Sequence, residues 1–285
     1  MPGEPIPSPA RSGEVLRFDD VSLHFGDTPA LDRVSFVMRA GETRVVLGAA
    51  GSGKTMLLKT AVGLVKPDSG HIFLFGRDIT PLPENQLFDI RSKVGILFQE
   101  GGLFDSLTIA ENVAYPLINQ RALHVRGGQP MDESEMERRV REALRFVELE
   151  QTLEKFPSEL SGGMRRRVGI ARAVVTSPPL ELYDSPTAGL DPITANTIIN
   201  LILMERDSRN TATIMVTHRY QDGHLMANFR YNPDSGHIEP ASRNGAGSSP
   251  VSTKFLVMNR GRLVFEGSQV ELKASPDPYV GKFVK

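Results

Sequence analysis

The chain has 285 residues, of which 40% are hydrophobic and 24% charged, with a formal net charge of -1. These values suit one large or two small globular α/β domains and give no electrostatic reason to expect nucleic acid as a partner. It contains no cysteine, which excludes a disulfide scaffold and a thiolate metal site, and no apolar run approaches the ~20 residues of a membrane-spanning helix, so any membrane role is expected to run through another subunit.

In chain order, residues 1–13 are rich in Pro, Gly and Ser without an apolar centre, the pattern of a loose tail and not of a signal peptide. Val15–Phe25 and Leu31–Met38 alternate apolar and polar residues as half-buried strands do. Arg44–Leu47 is a short strand ending at Gly48, and the glycine-rich stretch beyond it should open a helix carrying Met56, Leu57, Leu58, Ala61 and Val62. Ile96–Phe98 is a further apolar run. From about Leu107 to Leu160 the pattern is helical. Asp132 with Glu135 resembles a capping box there, and Val140, Leu144 and Val147 share one helix face. Strand patterns return at Leu180–Tyr183 and Thr213–Val216. A helical insertion, about 101–175, is therefore expected within one α/β domain over 14–285. Asn232 to Thr253 reads as a surface loop. Phe255–Met258 and Leu263–Glu266 then flank Asn259-Arg260-Gly261-Arg262, the pattern of a hairpin.

Gly48-Ala49-Ala50-Gly51-Ser52-Gly53-Lys54-Thr55 matches G-x-x-x-x-G-K-[ST] in full, between a strand and a helix. Glycines let backbone N–H groups approach phosphate oxygens, and the helix N-terminus adds partial positive charge. Lys54 is expected on the β- and γ-phosphates of ATP, and the Thr55 hydroxyl on Mg²⁺. The bland alternative is an ordinary strand-to-helix turn. A second anion-type start lies at Leu160-Ser161-Gly162-Gly163-Met164-Arg165-Arg166-Arg167, where Ser161 is the N-cap of a helix running to about Val175.

Together with the phosphate loop, Leu160-Ser161-Gly162-Gly163 resembles the signature of ABC ATPases. The resemblance implies an α/β fold: a P-loop NTPase core of the ABC type, with an antiparallel β subdomain and an inserted α-helical subdomain. It also implies roles for single residues. Phe25 matches the aromatic that stacks on adenine, against the alternative of a core strand aromatic. Gln99 matches the Q-loop glutamine, a contact to Mg²⁺ and the attacking water. Asp184 matches the Walker B aspartate, and His218 the switch histidine. Asp191 ends Pro186-Thr187-Ala188-Gly189-Leu190-Asp191, which matches the D-loop at the dimer interface. In this family ATP lies between two subunits, one giving the phosphate loop and the other Ser161, Gly162 and Gly163, so binding closes the dimer and hydrolysis releases it.

The sequence departs from the family at Ser185, where glutamate normally follows the Walker B aspartate as the base for the attacking water. A serine hydroxyl lacks the basicity for that role. Three readings stay open: slow hydrolysis through positioning and electrostatics, Glu100 standing in as the base, or a degenerate partner in a heterodimer. Glu181 occupies a usually apolar position, which suggests a face toward a partner or a polar edge. Arg219 follows the switch histidine where an acidic residue is common, and the 232–253 connection is longer than usual.

The segment Gly101 to Leu117, with Ser161 to Val168 and Pro276-Asp277-Pro278-Tyr279-Val280, resembles the Mla-type ATPases of phospholipid transport and solvent resistance. That implies a permease contacted through about 100–117, an Mce-type lipid-binding partner acting indirectly, a second ATPase subunit, and a place at the cytoplasmic face of the inner membrane. The alternative is the ATPase of a polar amino-acid importer. A soluble ABC ATPase acting on ribosomes or DNA is disfavoured by the single phosphate loop and the lack of a heptad run or basic tract.

Overall fold

A computed structural model describes residues 13–99, 101–124, 132–241 and 252–284. The expected tail falls, apart from its last residue, outside the described residues, as does Glu100. Strands β1 (Glu14–Phe25) and β2 (Thr28–Arg39) form an antiparallel hairpin. With β4 (Ser69–Leu74) and β5 (Arg77–Asp78) they make a four-stranded sheet in the order β2-β1-β4-β5. Strand β3 (Thr43–Gly48), buried along its whole length, belongs to a second sheet. Its companions are β6 (Val94–Leu97), β7 (Leu180–Asp184), β8 (Ala212–Val216), β11 (Thr253–Asn259) and β12 (Arg262–Gly267). The order is β12-β11-β3-β8-β7-β6, parallel except at β12. Unbroken burial along β3, β7 and β8 follows from cover on both faces of a parallel sheet. Successive residues divide between two cores: Val45 and Leu47 pack on one side of the sheet and Val46 on the other.

Helix α1 (Lys54–Ala61) follows β3 directly, and α2 (Glu84–Arg91) precedes β6. Between β6 and β7 lie α3 (Ile109–His124), α4 (Glu133–Phe146) and α5 (Gly162–Val174), the helical part of the fold. Then come α6 (Pro192–Arg209) and α7 (Tyr220–Asn228), and near the C-terminal end the short helices α8 (Gln269–Ala274) and α9 (Pro278–Gly281). Val140, Leu144 and Val147 do bury one face. The β11–β12 turn is two residues, Arg260 (φ 47°) and Gly261 (φ 81°), the paired positive-φ geometry that suits twisted strands.

Three sequence expectations need correction. Asp132 is the N-cap of α4 but makes no side-chain cap bond. It accepts from the Ser134 hydroxyl (2.7 Å), while Glu135 is held by Arg138 and Arg139 one turn on, so no capping box closes. The expected 232–253 loop contains strand β10 (His237–Pro240), paired with β9 (Phe229–Asn232). The Asn, Asp, Ser and Gly signals were those of its turn: Asp234 N–H donates to Asn232 Oδ1 (3.0 Å), and Gly236 has φ 71°. Residues 242–251 lie outside the described residues.

Glu181 faces neither a partner nor an edge. It sits on an interior strand, fully buried, and accepts a hydrogen bond from the Tyr183 hydroxyl (2.7 Å). Burial, reinforced by the nearby Glu205 carboxyl, pushes its pKa well up. Glu205, on α6 and ion-paired with Arg209 at 2.8 Å, is itself pushed by burial to about 7, with Arg209 pulling the other way. A carboxyl that titrates near 4.5 in the unfolded chain and near 7 in the fold favours folding fully below about 4.5. That contribution is lost as pH rises through about 7. Glu205→Gln should therefore melt near wild type at pH 4.5 and above wild type at pH 8, as followed by circular dichroism. An equal offset at both pH values would count against the assignment.

Candidate nucleotide site

The phosphate loop leaves the carboxyl end of β3 and winds into α1. Gly51 (φ 73°) and Gly53 (φ 103°) take backbone conformations that L-residues avoid. Gly53 is also pinned sterically: a Cβ there would come 2.2 Å from the Ala30 carbonyl oxygen of β2. At Gly48 a Cβ would lie 2.4 Å from Ser52 Oγ and 2.7 Å from the Met258 carbonyl of β11. The turn at Gly261 adds a bond from its N–H to the Ser52 carbonyl (3.1 Å). Gly53 is the N-cap of α1 and gives it no side-chain cap, so the first-turn N–H groups are available to an anion.

Lys54 Nζ donates to the carbonyls of Gly48 and Ala49, each at 2.8 Å, and reaches Ser52 Oγ at 3.4 Å. Burial pulls its pKa down, and the Asp184 carboxylate opposes that. Asp184 ends β7 almost fully buried; its Oδ1 accepts from the Ser185 hydroxyl (3.2 Å), and its Oδ2 has no hydrogen-bond partner. An unpartnered buried carboxylate oxygen, within electrostatic reach of the lysine of a glycine cradle, fits a phosphate–Mg²⁺ pair. Among the described residues no cluster of three or more His, Cys, Asp or Glu could hold a metal.

The remaining predicted residues fall into two groups. Gln99 and His218 are exposed, each two residues past the carboxyl ends of β6 and β8. They lie at the same sheet edge as Gly48 and Asp184, where parallel sheets bind ligands. Phe25 is 58% exposed at the β1–β2 tip, so it is no core aromatic; it pairs with Thr28, two residues from the Ala30 that abuts Gly53. Ser161 caps α5 through Met164 N–H (3.2 Å) at an exposed helix start. Gly163 also lies close to α6: a Cβ there would come 2.7 Å from Thr194 Cγ2, so that side chain would have to shift. Asp191 caps α6, accepting from Ile193 and Thr194 N–H at 3.0 Å, and its hydrogen bonds to Thr194 lower its pKa. Among the described residues no hydrogen bond joins Ser161–Gly163 or Asp191 to the phosphate loop.

Ser185 has φ 52°. Its N–H donates to the Val216 carbonyl (2.8 Å), and its own carbonyl accepts from Arg166 of α5 (2.8 Å). Arg172, also of α5, donates to the Gly101 and Gly102 carbonyls at 2.9 and 2.8 Å, tying the segment after Gln99 to the same helix. One residue gave no motif in the sequence. Asp222, 2% exposed, accepts from the hydroxyls of Thr187 (2.5 Å) and Thr217 (2.8 Å) through one oxygen and faces Arg219 at 3.6 Å. It joins the 186–191 turn to the strand end before His218. The only signal was the unusual Arg219, whose charge this acid offsets.

A family model for ABC transporters matches residues 31–188. A methionine import ATP-binding protein MetN of Corynebacterium jeikeium is 34% identical over 279 residues, covering 96% of this chain and 67% of that protein. The "Probable ribonucleotide transport ATP-binding protein mkl" of Mycobacterium bovis is 38% identical over 207 residues, 72% of this chain and 55% of that one. The first relatives matched are thus longer proteins, of which this chain spans 55–67%. Among solved structures, a dimeric ATP-binding cassette in a post-hydrolysis state with ADP and phosphate aligns with TM-score 0.72 and 27% identity, covering 89% of this chain and 98% of that one. A Clostridium perfringens cassette, part of the ABC transporter complex cbiONQ, aligns with TM-score 0.73 and 25% identity, covering 96% and 93%. The names of these relatives lend no support to a lipid substrate or an Mce-type partner.

Asp222→Ala should lower unfolding stability by about 2 kcal/mol, because two buried hydroxyls lose their acceptor. Asp222→Asn, whose amide oxygen still accepts, should lose less. Urea titration of both variants measures this, and equal losses would remove the acceptor role.

Proposed function

The chain belongs to the ABC transporter family as an ATP-binding subunit, and we propose that it is the motor of an importer, binding ATP with Mg²⁺, closing against a second ATPase subunit and driving a permease. The observation that carries this reading is a buried Asp184 with an unpartnered oxygen, within electrostatic reach of a Lys54 that lies in the glycine cradle. In the proposed site Lys54 and the loop N–H groups hold the phosphates, Phe25 stacks on the base, and Thr55, Gln99 and Asp184 hold the ion. Mg²⁺ supplies charge neutralisation at the phosphate oxygens. Gln99 and His218 orient water and γ-phosphate from the same sheet edge. Ser161, Gly162 and Asp191, all exposed, and the half-buried Gly163 are unattached to the loop of their own chain and serve the nucleotide of the partner subunit.

The import direction rests on the MetN relatives, which are named for methionine import. A second reading, phospholipid transport with an Mce-type protein, rests on the likeness of Gly101 to Leu117, with Ser161 to Val168 and Pro276 to Val280. Purification of the tagged chain with its membrane partners separates the two. A permease with a small-solute-binding protein, and inward ATP-driven transport in vesicles, fits the importer; co-purified phospholipid and an Mce-domain protein moves the assignment to lipids.

Among the described residues no helix is long and apolar enough to cross a membrane, so the permease contact needs a surface. Beside Arg172 lies an open groove of about 540 Å³ lined by Phe88, Val94, Ile96, Tyr115 and Pro116. Phe88 is 50% and Tyr115 41% exposed, and an amphipathic permease helix fits such an apolar groove. Glu111, an obvious charge in this segment, is committed to capping α3 through Thr108. Phe88→Asp and Tyr115→Asp should each reduce co-purification with the permease at least tenfold while nucleotide affinity stays within twofold. Intact co-purification in both would eliminate the groove.

For catalysis we take the slow-site reading: Ser185 spends its hydroxyl on Asp184 and offers no base. Ser185→Glu should raise phosphate release at saturating ATP, by up to about 10²-fold. A wild type already fast and indifferent to this change, but silenced by Glu100→Gln, would move the base to residue 100.

A further inference from the structure

The C-terminal turn reaches the phosphate loop. Helix α9 is held at its start by Asp277, whose carboxylate accepts from Tyr279 N–H (2.7 Å), and the Tyr279 ring packs edge-on against Phe283 at 5.3 Å. The Asp277 cap sets Tyr279 at the start of the turn, and the Phe283 ring adds apolar contact to the phenol without touching its hydroxyl. Its hydroxyl donates to the Met258 carbonyl at the end of β11 (3.1 Å) and accepts from Ala49 N–H in the phosphate loop (3.3 Å). Met258 lies beside Gly48 in the β11–β3 ladder, and its carbonyl is the one that leaves no room for a Cβ at Gly48. One hydroxyl thus bridges the strand that braces the loop and the first loop residue after Gly48, from 230 residues away in sequence.

We propose that Tyr279 is a positioning residue for nucleotide binding, a clip that holds the start of the phosphate loop in its phosphate-accepting conformation. The inference rests on the proposed reading of the loop as the ATP site. The physical case is preorganisation. Ala49 is exposed, so without the phenol its N–H turns to water and the loop's first peptide keeps only the hold on its carbonyl. The Lys54 ammonium binds that carbonyl, Gly48, and the next one, Ala49. Lys54 is itself a phosphate contact in the proposed site, so a peptide held chiefly by Lys54 must be reordered each time phosphates bind, which weakens affinity. The clip acts on the part of the loop before Gly51, not on a terminal phosphate. ATP and ADP should therefore depend on it equally.

The test is equilibrium binding of Mg-ATP and Mg-ADP to the purified full chain, for wild type, Tyr279→Phe, Phe283→Leu and Lys54→Ala, with nucleotide-free melting curves for each. Tyr279→Phe keeps the ring and deletes the bridge. It should weaken both nucleotides by about threefold to tenfold, the range of one neutral hydrogen bond, with the nucleotide-free melting temperature lowered less than in Phe283→Leu. Phe283→Leu keeps the hydroxyl and should bind as wild type even if it melts lower. Wild-type affinity in Tyr279→Phe, or a loss confined to ATP, overturns the clip. A nucleotide-free melting temperature in Tyr279→Phe that falls as far as in Phe283→Leu reduces the bridge to a structural bond and also overturns it. Lys54→Ala separates the two claims: if it still binds tightly, the phosphate-loop reading itself falls, whereas binding lost in Lys54→Ala with Tyr279→Phe unaffected removes the clip alone.

Discussion

Two backbone carbonyls set the shape of the candidate site. The Ala30 oxygen presses on Gly53 from the antiparallel sheet, and the Met258 oxygen presses on Gly48 from the parallel one. Neither position can carry a Cβ without displacing main chain, and main chain in paired strands does not give way cheaply. The phosphate loop is therefore gripped between two sheets. The Gly261 N–H bond to Ser52 adds a third hold from the β11–β12 turn. A loop fixed this way presents its N–H groups with little ordering left to do, which is the condition for tight binding of a polyanion.

The same grip orders the surroundings. Because β3, β7 and β8 run parallel and end together, Gly48, Asp184 and Thr217 meet at one edge. Helix α5 then ties the edge to the helical part of the fold through two arginines, Arg166 on the Ser185 carbonyl and Arg172 on the Gly101 and Gly102 carbonyls. Asp222 fastens the 186–191 turn to the strand end before His218. Short hydrogen bonds link these turns, and Arg172 also lines the groove proposed for a permease helix. The proposed coupling of nucleotide to permease has this physical route.

Much of this was legible in the sequence, for a physical reason. The phosphate loop has fixed local spacing because one turn of backbone must wrap one anion, so Gly48 to Thr55 read directly. Strands β3, β7 and β8 read from buried β-branched and apolar runs, and the Arg260-Gly261 turn from its glycine. What failed was decided by tertiary contact. Glu181 looked like an edge residue because carboxylates seldom sit in central strands; only the fold reveals Tyr183 and Glu205 beside it. The box at Asp132 lost to arginines on the next turn. Asp222 and Tyr279 act on partners far away in sequence, and no periodicity announces such a pair. Gly163 matched a binding motif, yet its visible constraint is Thr194.

Ser185 shows how a local departure alters the electrostatics of the proposed cycle beyond removing a base. Its hydroxyl satisfies one Asp184 oxygen and leaves the other unpartnered, so the aspartate stays available to a cation with its geometry fixed. A glutamate at 185 would add a second negative charge next to Asp184 and close to the phosphates of a bound nucleotide. In a partly buried site that repulsion is screened far less than in water. With serine the repulsion is absent, so on the proposed slow-site reading one residue both favours the nucleotide-bound state and slows water attack. Slow turnover and a long-lived closed dimer would then have one cause. In that proposal the rate of the cycle is set at residue 185, and its grip on nucleotide by the carbonyls and hydroxyl that hold the loop.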